Sequence, residues 1–279
     1  MKIRYLGTAA AEGFPAIFCE CEACRRAARL GGKDIRTRSS LLVDDCLLVD
    51  LGPDLYLQKL RDKLELGKLK AVLFTHSHAD HLDLTGLAMR DTEAYCHTGR
   101  EEPLHVYGNS RVLERIRSGM QFEFGTAEIP SVKAHLVHAG DRILQAPLTA
   151  CALPATHDPR EECLLYLLMD DADAVLVAND TGAVAPEFFR MLKEGLQGRK
   201  LTKVSVDCNF GTEDHGPCGH MSIVQNRQFR AQLLENGAAN QNTRYWVTHF
   251  SHNCGLDHAA LCAKFEAEGF SVAYDGLEI

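Results

Sequence analysis

Residues 76–81 read His76-Ser77-His78-Ala79-Asp80-His81 and follow directly on the apolar run Ala71-Val72-Leu73-Phe74. Four side chains able to hold a metal therefore fall within six residues at the end of a strand-like segment. Imidazole nitrogen and carboxylate oxygen at this density suit a divalent transition metal. Ligands that alternate along a turn cannot all converge on one ion, so two neighbouring ions are the natural reading. Further along, three more strand-like runs end on the same residue types: Pro154-Ala155-Thr156-His157, Val177-Ala178-Asn179-Asp180 and Trp246-Val247-Thr248-His249. One histidine after a strand is usually structural, and Asp-Thr-Gly is a common turn. Their recurrence at successive strand ends is what points to a site.

Layered α/β enzymes often occupy 279 residues as one unit, so one catalytic domain spanning 1–279 is expected. An apolar fraction of 46% is ample for a core, and no segment approaches the roughly twenty uninterrupted apolar residues of a membrane span. Met1 to Gly7 reads as a strand entering a glycine turn and not as a signal peptide, so a cytoplasmic address without a membrane partner is expected. Thirty basic against thirty-eight acidic side chains leave a net charge of −8. That balance opposes an extended grip on nucleic acid and favours a small substrate. A homodimer is the base-rate expectation for assembly.

Eleven cysteines without an export signal argue for reduced thiols and metal ligands instead of a disulfide framework. Cys46, Cys151, Cys163 and Cys208 lie in apolar or strand-like runs and read as core. Cys19-Glu20-Cys21-Glu22-Ala23-Cys24 differs, with three thiols at zinc-ligand spacing and a fourth ligand required from elsewhere.

Strand-like runs recur at 2–6, 39–43, 46–50, 71–74, 104–107, 132–137, 148–153, 163–169, 174–178, 204–206 and 244–247. Residues 55–64, 111–117, 186–196, 223–235 and 258–268 carry apolar positions at helical spacing. Val43-Asp44-Asp45-Cys46 reads as a hairpin. Two stretches, Thr8 to Ser39 and Asn209 to Ser222, read as irregular and too polar for core, and loops on a rigid scaffold are where chemistry concentrates. Asp91 to Glu102 matches no motif and is a candidate for shaping the pocket.

H-x-H-x-D-H is the signature of the metallo-β-lactamase superfamily, and the chain resembles that superfamily from end to end. The resemblance implies an α/β fold, an αββα sandwich of two mixed sheets flanked by helices. It implies that His76, His78 and His157 hold one ion, that Asp80, His81 and His249 hold another, and that Asp180 bridges them. Two carboxylate oxygens can serve two cations, and a water shared by the ions becomes hydroxide near neutral pH. Nitrogen and oxygen ligands admit Zn, Mn or Fe.

The cysteine loop narrows the resemblance to the cyclic ribose-phosphate phosphodiesterases of the carbon-phosphorus lyase pathway. There a structural zinc is closed by a histidine three positions beyond the last active-site histidine, which is His252 in this chain. Cys254, His258 and Cys218 are its competitors. Gly219-His220-Met221-Ser222 resembles a loop of the same group. Ser222 then caps the following helix, and His220 stands at the site mouth as the candidate general acid. Candidate catalytic residues are thus His220 and Asp80. The pyrroloquinoline quinone biosynthesis B proteins share a cysteine loop but look degenerate in the metal motif, whereas this chain keeps all of it.

The function implied is hydrolysis of a small, cyclic-ribose type phosphodiester by a metal-bridging hydroxide. Alternatives are a lactone, thioester or amide hydrolase on the same ions, a relative of the quinone-pathway protein, and an RNA nuclease, against which the acidic balance counts. Arg36, Arg38 and Arg160 are candidate phosphate contacts. His97, His105, His135, His138 and His258 read as solvated or structural, and His215 as undecided.

Overall fold

A computed structural model describes residues 1–91, 93–99, 102–216 and 219–279. Its first sheet has the order β1 (Ile3–Gly7), β2 (Ser40–Val43), β3 (Leu47–Val49), β4 (Ala71–Leu73), β5 (Leu104–Gly108) and β6 (Val132–Leu136). A second sheet contains β7 (Arg142–Gln145), β8 (Leu148–Pro154), β9 (Leu164–Met169), β10 (Ala174–Ala178), β11 (Lys203–Asp207), β12 (Arg244–Thr248) and β13 (Ser271–Val272), again as neighbours in chain order. Both sheets are mixed: β1 to β3 pair antiparallel and β3 to β6 parallel, while β7 to β10 pair antiparallel and β10 to β13 parallel.

Strands buried on both faces read as continuous apolar runs, and Leu164–Met169 is buried at all six positions. Alternate side chains of these strands build three cores. Tyr5, Leu41, Leu73, Leu164, Tyr166 and Val177 pack between the sheets. On the outer face of the first sheet, Leu48, Val72 and Val106 meet α2 (Leu55–Asp62), α3 (Leu84–Ala88) and α4 (Ser110–Phe124). On the outer face of the second, Leu165, Leu167 and Leu176 meet α5 (Pro186–Leu196), α6 (Ile223–Glu235) and α7 (His258–Phe265). The expected αββα sandwich is therefore the observed architecture. The hairpin at 43–46 also forms, with Asp44 and Asp45 at φ 46° and 55° as a tight two-residue turn demands. Among the described residues no helix is long and apolar enough to cross a membrane.

Several elements depart from the sequence pattern. The stretch from Thr8 to Ser39 is not irregular throughout, because Glu22–Leu30 forms a helix, α1. It buries Ala23, Cys24 and Ala27 against Ala9, Phe14 and Ala16, so the stretch has a small core of its own. Small side chains do this packing, and a search for large apolar residues passes over them. β7 escaped because it buries one residue, Ile143, and β13 because it is two residues long. The helix expected at 111–117 continues to Phe124.

Beyond β3 the chain runs against the 76–81 segment: Leu51 N donates to His81 O, and Asp83 N to Leu51 O. Gly52 lies under this contact, where any Cβ would overlap the Asp80 carbonyl. Gly52→Ala should cost about 1–3 kcal/mol through overpacking and lower the thermal unfolding midpoint. An unchanged midpoint would mean that the 76–81 segment yields freely.

Candidate functional site

β8, β10, β11 and β12 point the same way in the second sheet, so their C-terminal ends share one edge. His157, Asp180, Asp207 and His249 follow those ends, and β4 of the opposing sheet delivers residues 76–81 to them. The seven side chains expected to meet do meet. Around the buried Asp180 carboxylate lie His157 Nδ1 at 3.1 Å, His81 Nε2 at 3.2 Å, His249 Nε2 at 3.5 Å and His76 Nε2 at 3.6 Å. His78 Nδ1 is 3.2 Å from His157 Nε2, and Asp80 is 3.1 Å from His81 Nε2.

The outward ring nitrogens are nearly all committed, which orients the inward ones. Asp50 Oδ2 accepts from His81 Nδ1 at 2.7 Å, and its carboxylate also accepts from Thr75 N and Oγ1. Thr75 Oγ1 contacts His76 Nδ1 at 2.9 Å and Asp158 holds His78 Nε2 at 2.9 Å, while His157 Nδ1 lies between Gly219 O, at 3.0 Å, and the Asp180 carboxylate. Carboxylates and carbonyls in this outer position fix the orientation of metal-binding imidazoles. Asp50 and His249 both adopt left-handed backbone, at φ 64° and 62°, the kind of conformation that clusters at functional sites.

What faces inward lacks partners. His76 Nε2, His81 Nε2 and Asp180 Oδ1 are buried without a hydrogen bond among the described residues, as is His249 Nδ1. Orphaned buried atoms are costly in a protein interior. Cations would complete them, so the donor set fits a divalent metal. Protonation states agree: burial and then His81 push His76 well down, toward neutral imidazole. Burial alone would raise the Asp180 carboxyl, but His249 and His220 hold it well below the usual range, as an anion. These are the forms that bind metal.

His220 stands at the same carboxylate, its Nδ1 2.8 Å from Asp207 Oδ2 and 3.1 Å from Asp180 Oδ1. Burial opposes its charge, yet Asp207 and Asp180 lift it to about 11. Asp207 also accepts from the Asn209 and Met221 amides, fixing the loop that carries His220. Ser222 caps α6 as expected, reinforced by Gln225. His215 packs on Phe210 with ring centroids 4.4 Å apart.

Cys19, Cys21, Cys24 and His252 form a second cluster, all four within 4.8 Å of one another. His252 Nδ1 is 3.6 Å from both the Cys19 and Cys21 sulfurs. The Cys24 amide and His252 lower the Cys21 thiol to about 6, and burial lifts Cys24 to about 12. The proposed competitors lie apart from this cluster: His258 Nδ1 faces Arg36 at 3.2 Å, and Cys254 packs on Gly211. Cys218 lies outside the described residues.

A cavity of about 600 Å³ opens beside the His/Asp cluster, lined by Ser77, His78 and Asp80, by Arg111, Glu114 and Arg115 of α4, and by Asp158, Arg160 and Glu161. Of the three arginines expected at phosphate, Arg160 is here, bound to Asp158. Arg36 is not: it is 2% exposed and donates to Thr8 and the Ala273 carbonyl beneath Phe250, so it is a structural residue. Arg38 pairs with Asp54 at 2.8 Å. The described part of 91–102 lines other hollows, so it does not shape this cavity. His105 and His135 contact each other at 2.8 Å, and His138 binds Glu162.

Asp50, Asp158, Asp207 and Arg115 went unrecognised in the sequence. Asp50 and Asp207 stand at the ends of apolar strands, the same signal that Asp180 gave; Asp207 opens the loop whose resemblance drew attention to His220, but no role was assigned to it.

Residues 46–250 match the family model described as Beta-lactamase superfamily domain. An octanoyltransferase of Porphyromonas gingivalis is 33% identical over 128 residues, which cover 44% of this chain and 24% of that protein. Ribonuclease BN of Cronobacter sakazakii is 28% identical over 200 residues, 70% of this chain and 59% of the relative. The chain thus spans from a quarter to three fifths of these relatives. A diphosphatase structure described as from the PhnP family superposes with a TM-score of 0.76 at 23% identity, covering 100% of this chain and 96% of that one. With the fold, the strand-end His/Asp cluster and a family match over most of its length, the chain belongs to the metallo-β-lactamase superfamily.

Proposed function

We propose that the chain is a phosphodiesterase acting on a small phosphodiester. In this reading His76, His78 and His157 hold one divalent ion, Asp80, His81 and His249 a second, and Asp180 lies between them. Cations so held supply a hydroxide near neutral pH and stabilise charge on the reacting oxygens. The observation that carries the reading is His220, whose Nδ1 lies 2.8 Å from Asp207 Oδ2 and 3.1 Å from Asp180 Oδ1 at the edge of the same carboxylate cluster. A phosphodiester expels an alkoxide, which needs a proton as it leaves; a thiolate does not, so a thioester makes less use of such a group. The ribonuclease and diphosphatase names of two similar proteins support phosphate chemistry. The net charge of −8 favours a small substrate over RNA.

The direct test is turnover by metal-reconstituted protein of bis(p-nitrophenyl) phosphate, cyclic ribose phosphates, a lactone and a thioester. Phosphodiesters should be hydrolysed fastest, and a dominant rate on the thioester or lactone would overturn the reading. His220→Ala should lower kcat on alkyl diesters by on the order of a hundredfold or more while sparing aryl esters, whose leaving groups need no proton. Equal losses on both would assign His220 to binding.

Asp50→Ala removes the acceptor that orients His81 and leaves Thr75 N unpaired. Competition with a chromophoric chelator should show divalent-metal affinity about 10–100-fold weaker, and an unchanged affinity would separate Asp50 from the metal centre.

The four-residue sulfur and imidazole cluster is proposed to bind one structural zinc, with no position left for water. Cys21→Ser should release zinc and lower the thermal midpoint before it changes turnover. An anomalous-scattering map across the zinc edge with no peak among Cys19, Cys21, Cys24 and His252 would remove the assignment.

A further inference from the structure

A separate cavity, of about 530 Å³, opens on the outer face of the first sheet, between α2, the turn at Leu66–Lys68 and α3. None of its described lining residues belongs to the His/Asp or the Cys/His cluster. Leu51, Leu55, Leu69, Leu87 and Leu104 make up its buried lining, each at most 9% exposed. Apolar hollows of this size with a few polar groups are where proteins hold small molecules. Here the polar groups are cationic. Arg90 and Lys59 line the space, and neither has an ion pair among the described residues. Arg90 Nε is buried without a hydrogen-bond partner among them, and Nη1 reaches the Cys96 sulfur at 3.9 Å. One carboxylate lies on the described lining, Asp83, and it is taken up by the Thr85 and Gly86 amides at the start of α3.

A buried guanidinium nitrogen left without a partner is costly. An anionic oxygen would complete it with a charge-assisted hydrogen bond, and a planar carboxylate matches the guanidinium fork. A neutral apolar molecule would leave Arg90 orphaned, and two unpaired positive side chains repel a cation. On the described lining the one aromatic ring is Tyr56, which is exposed, so the inner wall offers aliphatic contact and not ring stacking. Met89 beside it adapts to a flexible chain. We propose that this cavity is a binding site for an amphipathic carboxylate of the medium-chain fatty acid class, its head on Arg90 and its hydrocarbon along the leucines. Lys59, in the last turn of α2, adds to the field that draws the head in. The site stands apart from the phosphodiesterase reading and does not depend on it.

Calorimetric titration of the metal-loaded protein with decanoate, octanoate and 1-octanol, each below its self-association concentration, tests the site. Decanoate should bind saturably, and octanoate about tenfold more weakly because two fewer methylenes are buried. Arg90→Gln should weaken octanoate by about tenfold or more and leave 1-octanol unchanged, and Arg90→Lys should keep part of the affinity. Gly67 lines the cavity, and a Cβ there meets nothing within 4 Å. Gly67→Phe should therefore fill the space, weakening acid and alcohol alike while the thermal midpoint is kept. A carboxylate held at the metal centre instead would be displaced by inorganic phosphate and indifferent to Arg90→Gln and Gly67→Phe. That result, or no saturable binding of decanoate, overturns the site, and equal losses of octanoate and 1-octanol in Arg90→Gln overturn the role of Arg90 as the head-group partner.

Discussion

The Asp180 carboxylate is the constraint around which the molecule is arranged. It is a buried anion, 4% exposed, encircled by imidazoles from both sheets. An isolated charge in that position would cost several kcal/mol, and the fold tolerates it because β4, β8, β10 and β12 converge on it from opposing sheets. The sandwich core fixes those strand ends, so the geometry of the centre is a property of Leu73, Leu164 and Val177 as much as of the histidines.

A layer of carboxylates surrounds the imidazoles. Asp50 faces His81, Asp158 faces His78, and Asp207 faces His220. For His81 and His78 the partner decides which nitrogen carries the proton and thereby which one looks inward, while Asp207 holds the same His220 nitrogen that faces Asp180. The protein spends its acidic residues here on orientation.

The sandwich and the convergence of seven side chains were legible because each leaves a one-dimensional trace, an apolar run followed by a ligand-type residue. The cysteine cluster was legible for the same reason in its first three members, since 19, 21 and 24 are neighbours in sequence. His252 was reached by family resemblance and is placed with them. What stayed hidden depends on three-dimensional approach. Arg36 looked like any loop arginine until its burial under Phe250 made it structural, and nothing in the sequence singled out Arg115, which α4 brings to the Ser77 carbonyl. Helix α1 was missed because alanines, not large apolar residues, pack its face.

Cys19 and His252 touch across 233 positions of chain, and His76 and His249 flank one carboxylate across 173. Neither cluster can be complete before residues 249 and 252 have been synthesised. A nascent polypeptide exposes three thiols early and lacks their partner until β12 has emerged and docked. Closing such long loops is entropically slow, and contacts of this range are made late in folding. A product truncated before residue 249 therefore carries an open thiol loop and an incomplete histidine cage, a ready substrate for quality control.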